Sequence, residues 1–394
     1  MQYRAPAWLP GGHAQTIWPA LYARRRWGPA LPKQRERWLT PDGDFIDVDR
    51  QAASRQDRPM VVLFHGLEGS SDSHYAQAFA DWAAAHDLHF ALPHFRGCSG
   101  EINHAPRAYH SGDHQEIDWV LRRLRLQHQQ GGGQTLVATG VSLGGNALMR
   151  WAAEHGAAAA QCADAVASIC SPLDLVQSGQ AIGQGLNRQI YTRMFLRSMR
   201  PKALAKLAQY PGLFDRQKLM AARDLYEFDN VFTAPLHGFK STDDYWSKAS
   251  AKPLMADIRI PALALNARND PFVPASSLPQ QADVSASVTL WQPEQGGHVG
   301  FAEGRWPSHV RGLPDSVGGM TIDRMCASGL MSIATAAKGI MTGEMNIAVA
   351  GGLESISLVQ NKYKNGHRAQ SKSVLDVMPT AYIQMIETAE IVSQ

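Results

Sequence analysis

Thr135-Leu136-Val137-Ala138-Thr139-Gly140-Val141-Ser142-Leu143-Gly144-Gly145-Asn146 is the stretch on which the reading of this chain turns. A β-forming run leads into Gly-x-Ser-x-Gly, and from Asn146 to Glu154 the sequence is rich in Ala and Leu at helical spacing. A serine between a strand and a helix sits on a sharp turn: its hydroxyl stands clear of the backbone, and the glycines let the turn close. The N-terminus of the succeeding helix favours negative charge developing beside it. By itself the five-residue string recurs by chance. Placed between a strand and a helix, it points to Ser142 as a nucleophile.

The surrounding pattern agrees with that placement. Met60-Val61-Val62-Leu63-Phe64 is a buried strand that ends in His65-Gly66, and Phe90-Ala91-Leu92 is a short strand stopped by Pro93. Tyr75 to Ala85 and Ile117 to Leu126 carry apolar residues at helical spacing, while Ala165–Ile169, Ala262–Leu265 and Val288–Trp291 read as further strands. Strands alternating with helices imply an α/β fold, a mostly parallel sheet covered by helices. The expected organisation is an N-terminal segment over 1–58 and a core over 59–171 and 251–304. Residues 172–250, helical and rich in Arg, Met and Phe, interrupt the core as a cap. A Pro- and Gly-containing linker comes next over 305–319, then an appendage over 320–394 with a helical pattern from Gly329 to Met341 and an apolar strand Ile347–Ala350. No fixed-period repeat is visible.

A serine hydroxyl needs a base to become a nucleophile. On a strand–turn–helix serine the partners are expected downstream, acid first and histidine second, each in a loop after a late strand. Asp270, in Asn269-Asp270-Pro271 after the strand Ala262–Leu265, and His298, in Gly296-Gly297-His298-Val299-Gly300 after Val288–Trp291, fit that order. Asp257 and Glu303 lie near the same strand ends and compete with Asp270 for the acid role. The backbone N–H groups of Leu143 and of Leu67, in His65-Gly66-Leu67-Glu68-Gly69, are the candidates for receiving an oxyanion. A histidine base must be neutral to accept a proton, so activity is expected to fall at acid pH.

Other chemistry-bearing residues admit quieter readings. His110 and His114, four apart beside Asp113, suit a metal by spacing, yet no third ligand is fixed, so no metal is expected. Cys98, Cys162 and Cys170 read as small buried or turn residues. The Met, Phe and Leu cluster between Ile190 and Met199 would line an acyl pocket or form the core of the cap; spacing does not separate the two.

Several segments resemble one branch of the α/β-hydrolase superfamily, the YheT-like hydrolases that include the ABHD1/ABHD3-type lipid esterases. They are Gly11-Gly12-His13-Ala14-Gln15-Thr16, His65-Gly66-Leu67-Glu68-Gly69-Ser70, Phe95-Arg96-Gly97-Cys98-Ser99-Gly100 and Tyr109-His110-Ser111-Gly112-Asp113. Lys252-Pro253-Leu254, Asn269-Asp270-Pro271-Phe272 and Gly297-His298-Val299-Gly300-Phe301 continue the match, which spans about residues 5 to 304. The resemblance implies an α/β-hydrolase fold and hydrolysis of small-molecule acyl esters without a cofactor. From about 312 to 394 the chain is similar instead to thiolases: Met320-Thr321-Ile322-Asp323-Arg324-Met325-Cys326-Ala327-Ser328-Gly329-Leu330 resembles the segment around their nucleophilic cysteine, and Ala350-Gly351-Gly352-Leu353-Glu354-Ser355 and Tyr382–Glu390 extend it. Thiolase chemistry implies a histidine and a second cysteine further on, whereas only His367 comes after Cys326. A partial thiolase-like appendage is the expectation.

Bulk properties narrow the partners. Of the 394 residues 44% are hydrophobic and 19% charged, and the net charge of +3 is too slight and scattered for a nucleic-acid partner. Arg24-Arg25-Arg26 is the one basic knot and reads as a solvated loop. No signal-peptide-like run opens the chain, the apolar stretch Leu330–Gly352 is broken by Lys338 and Glu344, and the four scattered cysteines suit a reducing compartment. No transmembrane segment and a cytoplasmic location are therefore expected. Two other functions compete with ester hydrolysis: a catalytically silent fusion with an assembly role, and CoA-dependent acyl transfer through Cys326. The tail is expected either to cover the sheet surface that a last hydrolase helix would cover, or to support a homo-oligomer through its apolar strand. Truncation at Val310 is then expected to change the melting temperature or the oligomeric state, and an unchanged protein would sink both versions.

Overall fold

The computed structural model describes residues 3–23, 33–303, 328–342 and 372–379. Eight strands form one sheet: β1 (Gln34–Leu39), β2 (Phe45–Gln51), β3 (Met60–Phe64), β4 (His89–Pro93), β5 (Leu136–Val141), β6 (Ala165–Ile169), β7 (Ala262–Leu265) and β8 (Val288–Trp291), in the order β1-β2-β4-β3-β5-β6-β7-β8. β1–β2 and β2–β4 pair antiparallel; every later neighbour is parallel. Around it run α1 (Gly11–Tyr22), α2 (His74–Ala85), α3 (His114–Gln130) and α4 (Leu143–His155).

The side-chain period of two decides which helix covers which face. Val62 and Phe64 of β3, with Leu136 and Ala138 of β5, join Ile117, Leu121 and Leu124 of α3 and Leu148, Met149 and Trp151 of α4 in the large core. Leu63 and Val141 turn the other way and pack with Ala76 and Ala83 of α2. Both faces of the central strands are buried, which is why they read as unbroken apolar runs.

Between β6 and β7 the chain builds the cap: α5 (Leu175–Ile182), α6 (Gly185–Asn187), α7 (Arg193–Gln209), α8 (Arg216–Ala221), α9 (Leu225–Val231), α10 (Thr233–Leu236) and α11 (Thr242–Ala249). It has its own apolar cluster, in which Leu196, Leu219, Phe228 and Phe232 are buried together. One expected detail differs: β4 runs through Pro93, which pairs with Val48 across the antiparallel β2. The β7–β8 connection carries short 3-10 turns at Ala275–Ser277 and Gln281–Asp283, and Pro271, Pro274 and Pro279 interrupt it.

Contacts divide the chain into Met1–Gly312 and Leu313–Gln394. In the second unit α12 (Ser328–Met341) and α13 (Lys372–Val377) are described. The expected linker, Cys326, the strand Ile347–Ala350, His367 and the Arg24–Arg26 knot lie outside the described residues. Among those described, no helix is long and apolar enough to cross a membrane.

The β1–β2 hairpin is where charge holds the fold. Arg35 faces Asp49 and Arg37 faces Asp47 across the register, each joined by two hydrogen bonds of 2.7–3.0 Å, although both aspartates are buried. At its turn Asp42 and Asp44 accept from Arg96 at 2.8 Å. Burial pushes the Asp42 carboxyl up, but hydrogen bonds from Arg96 and Thr40 outweigh it and leave it at about 2. Asp44, Asp47 and Asp49 are likewise held below the usual carboxylate range, burial being outweighed by their hydrogen bonds. Carboxyls with depressed folded values stabilise the fold above their unfolded values and lose that contribution as pH falls through the folded ones. The urea midpoint is therefore expected to hold near neutrality and drop between about pH 4 and pH 2; a midpoint flat across that window would contradict the assignment.

Candidate active site

β5 hands over to α4 through Ser142, whose φ of 53° and ψ of −120° belong to neither element. The turn is tied on both sides: the Ser142 N–H donates to Ile169 O at 2.9 Å, and the Ser142 carbonyl accepts from the N–H groups of Gly145 and Asn146 at 3.0 and 3.2 Å. Gly144 brings α4 against the end of β3 so closely that a Cβ there would stand 2.5 Å from the carbonyl oxygens of Phe64 and His65. Asn146, fully buried, donates to Ser111 O and Ala249 O and accepts from the Ala251 N–H. The helix behind the serine is thereby pinned to the chain where the cap returns to the core.

The structure brings Ser142, His298 and Asp270 into one relay. His298 Nε2 lies 3.0 Å from Ser142 Oγ, and His298 Nδ1 lies 2.8 Å from Asp270 Oδ2. The carboxylate can only accept, so Nδ1 carries the proton and Nε2 is left to accept from the serine hydroxyl. Asp270 Oδ1 accepts from the Phe272 N–H at 2.7 Å, and the Phe272 ring stacks on His298 at 4.1 Å. Neither competing acid takes this place: Asp257 is 64% exposed beside Arg259, and Glu303 is exposed.

The motifs alone leave unexplained how the two downstream loops are held. α1 does it. Gln15 Oε1 accepts from Asn269 Nδ2 and from the Gly296 N–H, both at 2.9 Å, so one amide joins the acid loop to the histidine loop. Asn269 Oδ1 accepts from the Gly297 N–H, and Thr16 Oγ1 accepts from the His298 N–H at 2.9 Å. Gly12 lets α1 lie against the Asn269 carbonyl, where a Cβ has no room. Gln15, Thr16 and Asn269 are thus site residues that sequence reasoning missed as such; the Gly-Gly-His-Ala-Gln-Thr motif was the signal.

The N–H groups of Leu67 and Leu143 have no acceptor among the described residues, and both leucines line the same cavity as Ser142 and His298. The Leu67 loop is clamped from all sides. Tyr75 Oη accepts from the Gly66 N–H; Tyr109 Oη accepts from the Glu68 N–H and donates to Glu68 Oε1, each at 2.9 Å. Lys202 of the cap reaches Glu68 at 3.0 Å. Burial, with His94 nearby, drops His65 to about 3, so its imidazole is neutral: Nδ1 donates to Gly66 O and Nε2 accepts from the Phe95 N–H.

The cavity holds about 1140 Å³ of empty space, part of it open to solvent. Within the Ile190–Met199 cluster, Phe195 and Met199 line it, whereas Leu196 and Tyr191 are buried in apolar clusters of their own. The cluster serves both purposes. His110 Nδ1 accepts from the Gly112 N–H, and its ring lies 4.6 Å from that of His237. Among the described residues, no three His, Cys, Asp or Glu side chains are grouped to hold a metal. Cys98, Cys162 and Cys170 are buried free thiols.

These features are those of an α/β hydrolase. The family model for the alpha/beta hydrolase fold matches residues 59–305, and the chain belongs to that family. It is 35% identical over 297 residues to the putative esterase YheT of Escherichia coli, covering 74% of this chain and 84% of that protein. To the phospholipase ABHD3 of Mus musculus it is 26% identical, over 77% of this chain and 74% of the relative. A monoacylglycerol lipase of Saccharomyces cerevisiae is 27% identical over 69% of this chain and 60% of its own length. The model for the thiolase N-terminal domain matches residues 289–390. Its first residues overlap the hydrolase match, and in the structure they are part of the hydrolase: β8 pairs with β7, and His298 meets Ser142.

A methyl group at position 144 would press into the backbone of β3. Gly144→Ala is expected to destabilise the fold by about 1–3 kcal/mol, as overpacking does, measured as a lower urea midpoint with an unchanged slope; wild-type stability would show that the approach of α4 to β3 is not tight.

Proposed function

We propose that this protein is a serine carboxylesterase that cleaves acyl esters through an acyl-enzyme. The relay from Asp270 through His298 to Ser142, opening onto a cavity lined by Leu67 and Leu143, whose N–H groups have no acceptor among the described residues, carries the reading. Support also comes from relatives named as an esterase, a phospholipase and a monoacylglycerol lipase.

In this mechanism His298 Nε2 takes the Ser142 proton as Oγ attacks the ester carbonyl, and Asp270 stabilises the imidazolium that forms. The N–H groups of Leu67 and Leu143 receive the oxyanion, each contributing about 3 kcal/mol to the transition state. His298 then donates its proton to the departing alkoxide. Water, deprotonated by the same histidine, attacks the acyl-enzyme and releases the acid. The strained Ser142 backbone serves this chemistry by fixing Oγ before substrate arrives.

Hydrolysis of p-nitrophenyl esters from acetate to palmitate tests it. The wild type is expected to turn over, with the preferred chain length set by the cavity. Ser142→Ala should lower kcat by about 10⁴-fold or more, and a fluorophosphonate should label the wild type alone. A folded wild type that cleaves no ester and takes no label would favour the silent, assembly-type function.

A further inference from the structure

The cavity is not uniformly apolar. Part of its wall comes from α5, α9 and α11 of the cap. Trp246 of α11 packs against α5 at Gly179, where a side chain would have no room, and its indole N–H donates to Asp229 Oδ2 at 2.9 Å. Asp229 of α9 is buried, its Oδ1 accepts from the Thr233 hydroxyl at 2.6 Å, and no cation pairs with it among the described residues. Burial pushes its carboxyl up to about 6, against the hydrogen bonds from Thr233 and Trp246. A carboxylate offers about four lone-pair sites, so capacity remains.

Next to Gly179 stands Ser178. It is 5% exposed, lines the same cavity, and its Oγ has no hydrogen-bond partner among the described residues. A helical serine ordinarily satisfies itself on the carbonyl four residues back; this one does not. Leaving a buried hydroxyl unpaired is unfavourable, a cost the cap has no structural reason to bear.

Resting on the esterase reading above, we propose that Ser178 and Asp229 form a subsite for a hydroxyl group carried on the substrate's hydrocarbon chain, so that hydroxyacyl esters are preferred over unsubstituted ones. The wall around the subsite, including Leu175, Ile182 and Phe228, suits hydrocarbon. A hydroxyl both donates, to the Asp229 carboxylate, and accepts, from the Ser178 O–H, and it brings no charge to desolvate. An anionic group there would face the buried Asp229 carboxylate, which disfavours it.

The test uses full-length Ser142→Ala protein, so that binding is read without turnover. Calorimetry compares methyl decanoate with the positional isomers of methyl hydroxydecanoate. At least one isomer is expected to bind about tenfold tighter, equivalent to about 1.4 kcal/mol. Adding Ser178→Ala should bring that ratio close to one without lowering the melting temperature, since the hydroxyl removed has no partner. Asp229→Asn is the second probe and should reduce the same ratio. The inference is overturned if no isomer binds more tightly, if none binds at all, or if the preference survives Ser178→Ala. Failure of ester hydrolysis itself is read separately, by the p-nitrophenyl assay on the wild type.

Discussion

Between Val141 and Leu143 the chain turns from strand to helix in a backbone conformation that an L-residue holds only when its surroundings impose it, at a cost of about 1–3 kcal/mol. Here the imposition comes from several directions. Ile169 of the neighbouring strand holds the Ser142 N–H, the first turn of α4 holds its carbonyl, and Gly144 lets that turn rest on the end of β3. Because the strain is balanced by parts of the sheet on both sides, the position of Oγ is a property of the whole parallel sheet rather than of one loop. It also leaves the Leu143 N–H, at the start of a helix, with no acceptor among the described residues.

The acid and histidine loops leave the paired strands β7 and β8, where Asn266 N–H donates to Trp291 O and Arg268 N–H to Pro293 O, and beyond the strands they need a further support. α1 supplies it with neutral groups. Gln15, 1% exposed, bridges the Asn269 and Gly296 loops, and Thr16 holds the His298 backbone. Amides and hydroxyls fix geometry without adding a charge beside the Asp270–His298 pair, which leaves the carboxylate as the group that sets the imidazole's tautomer. The same economy appears around Leu67, where two tyrosine hydroxyls bracket the loop; an ion pair, Glu68 with Lys202, comes from the cap and ties the cap's position to that loop.

Much of this was legible because the deciding residues are local. β3 and β5 are buried on both faces, β6 and β7 are buried on one face and half-buried on the other, and β8 is short and apolar with an exposed face; composition announces all five, and Ser142, Asp270 and His298 lie in motif loops at the ends of such strands. The N-terminal hairpin was not legible for the opposite reason. β1 carries Arg35 and Arg37 and β2 carries Asp47 and Asp49, so both look like solvent-facing polar sequence. The two aspartates are in fact buried, each neutralised by the arginine directly across the ladder. The Asp42-Gly43 turn was the remaining signal. α1 hid behind Gly11, Gly12 and Pro19, residues of poor helix propensity: Gly11 takes a positive φ, Gly12 permits the approach to Asn269, and Pro19 is buried. The motif around Gln15 marked the place but not the bridging role, since the two loops it joins stand more than 250 positions away.

The overlap between the two family matches has a physical resolution. Residues 289–303 sit where either match could claim them, and the partners described for them belong to the hydrolase. β8 completes the sheet on β7, Gly296 and His298 bond to α1, and His298 reaches Ser142 across 156 positions of sequence. Those contacts commit the chain to the hydrolase through the last residue the site requires. The thiolase-like sequence around Cys326 begins only after the hydrolase's polar relay has been assembled.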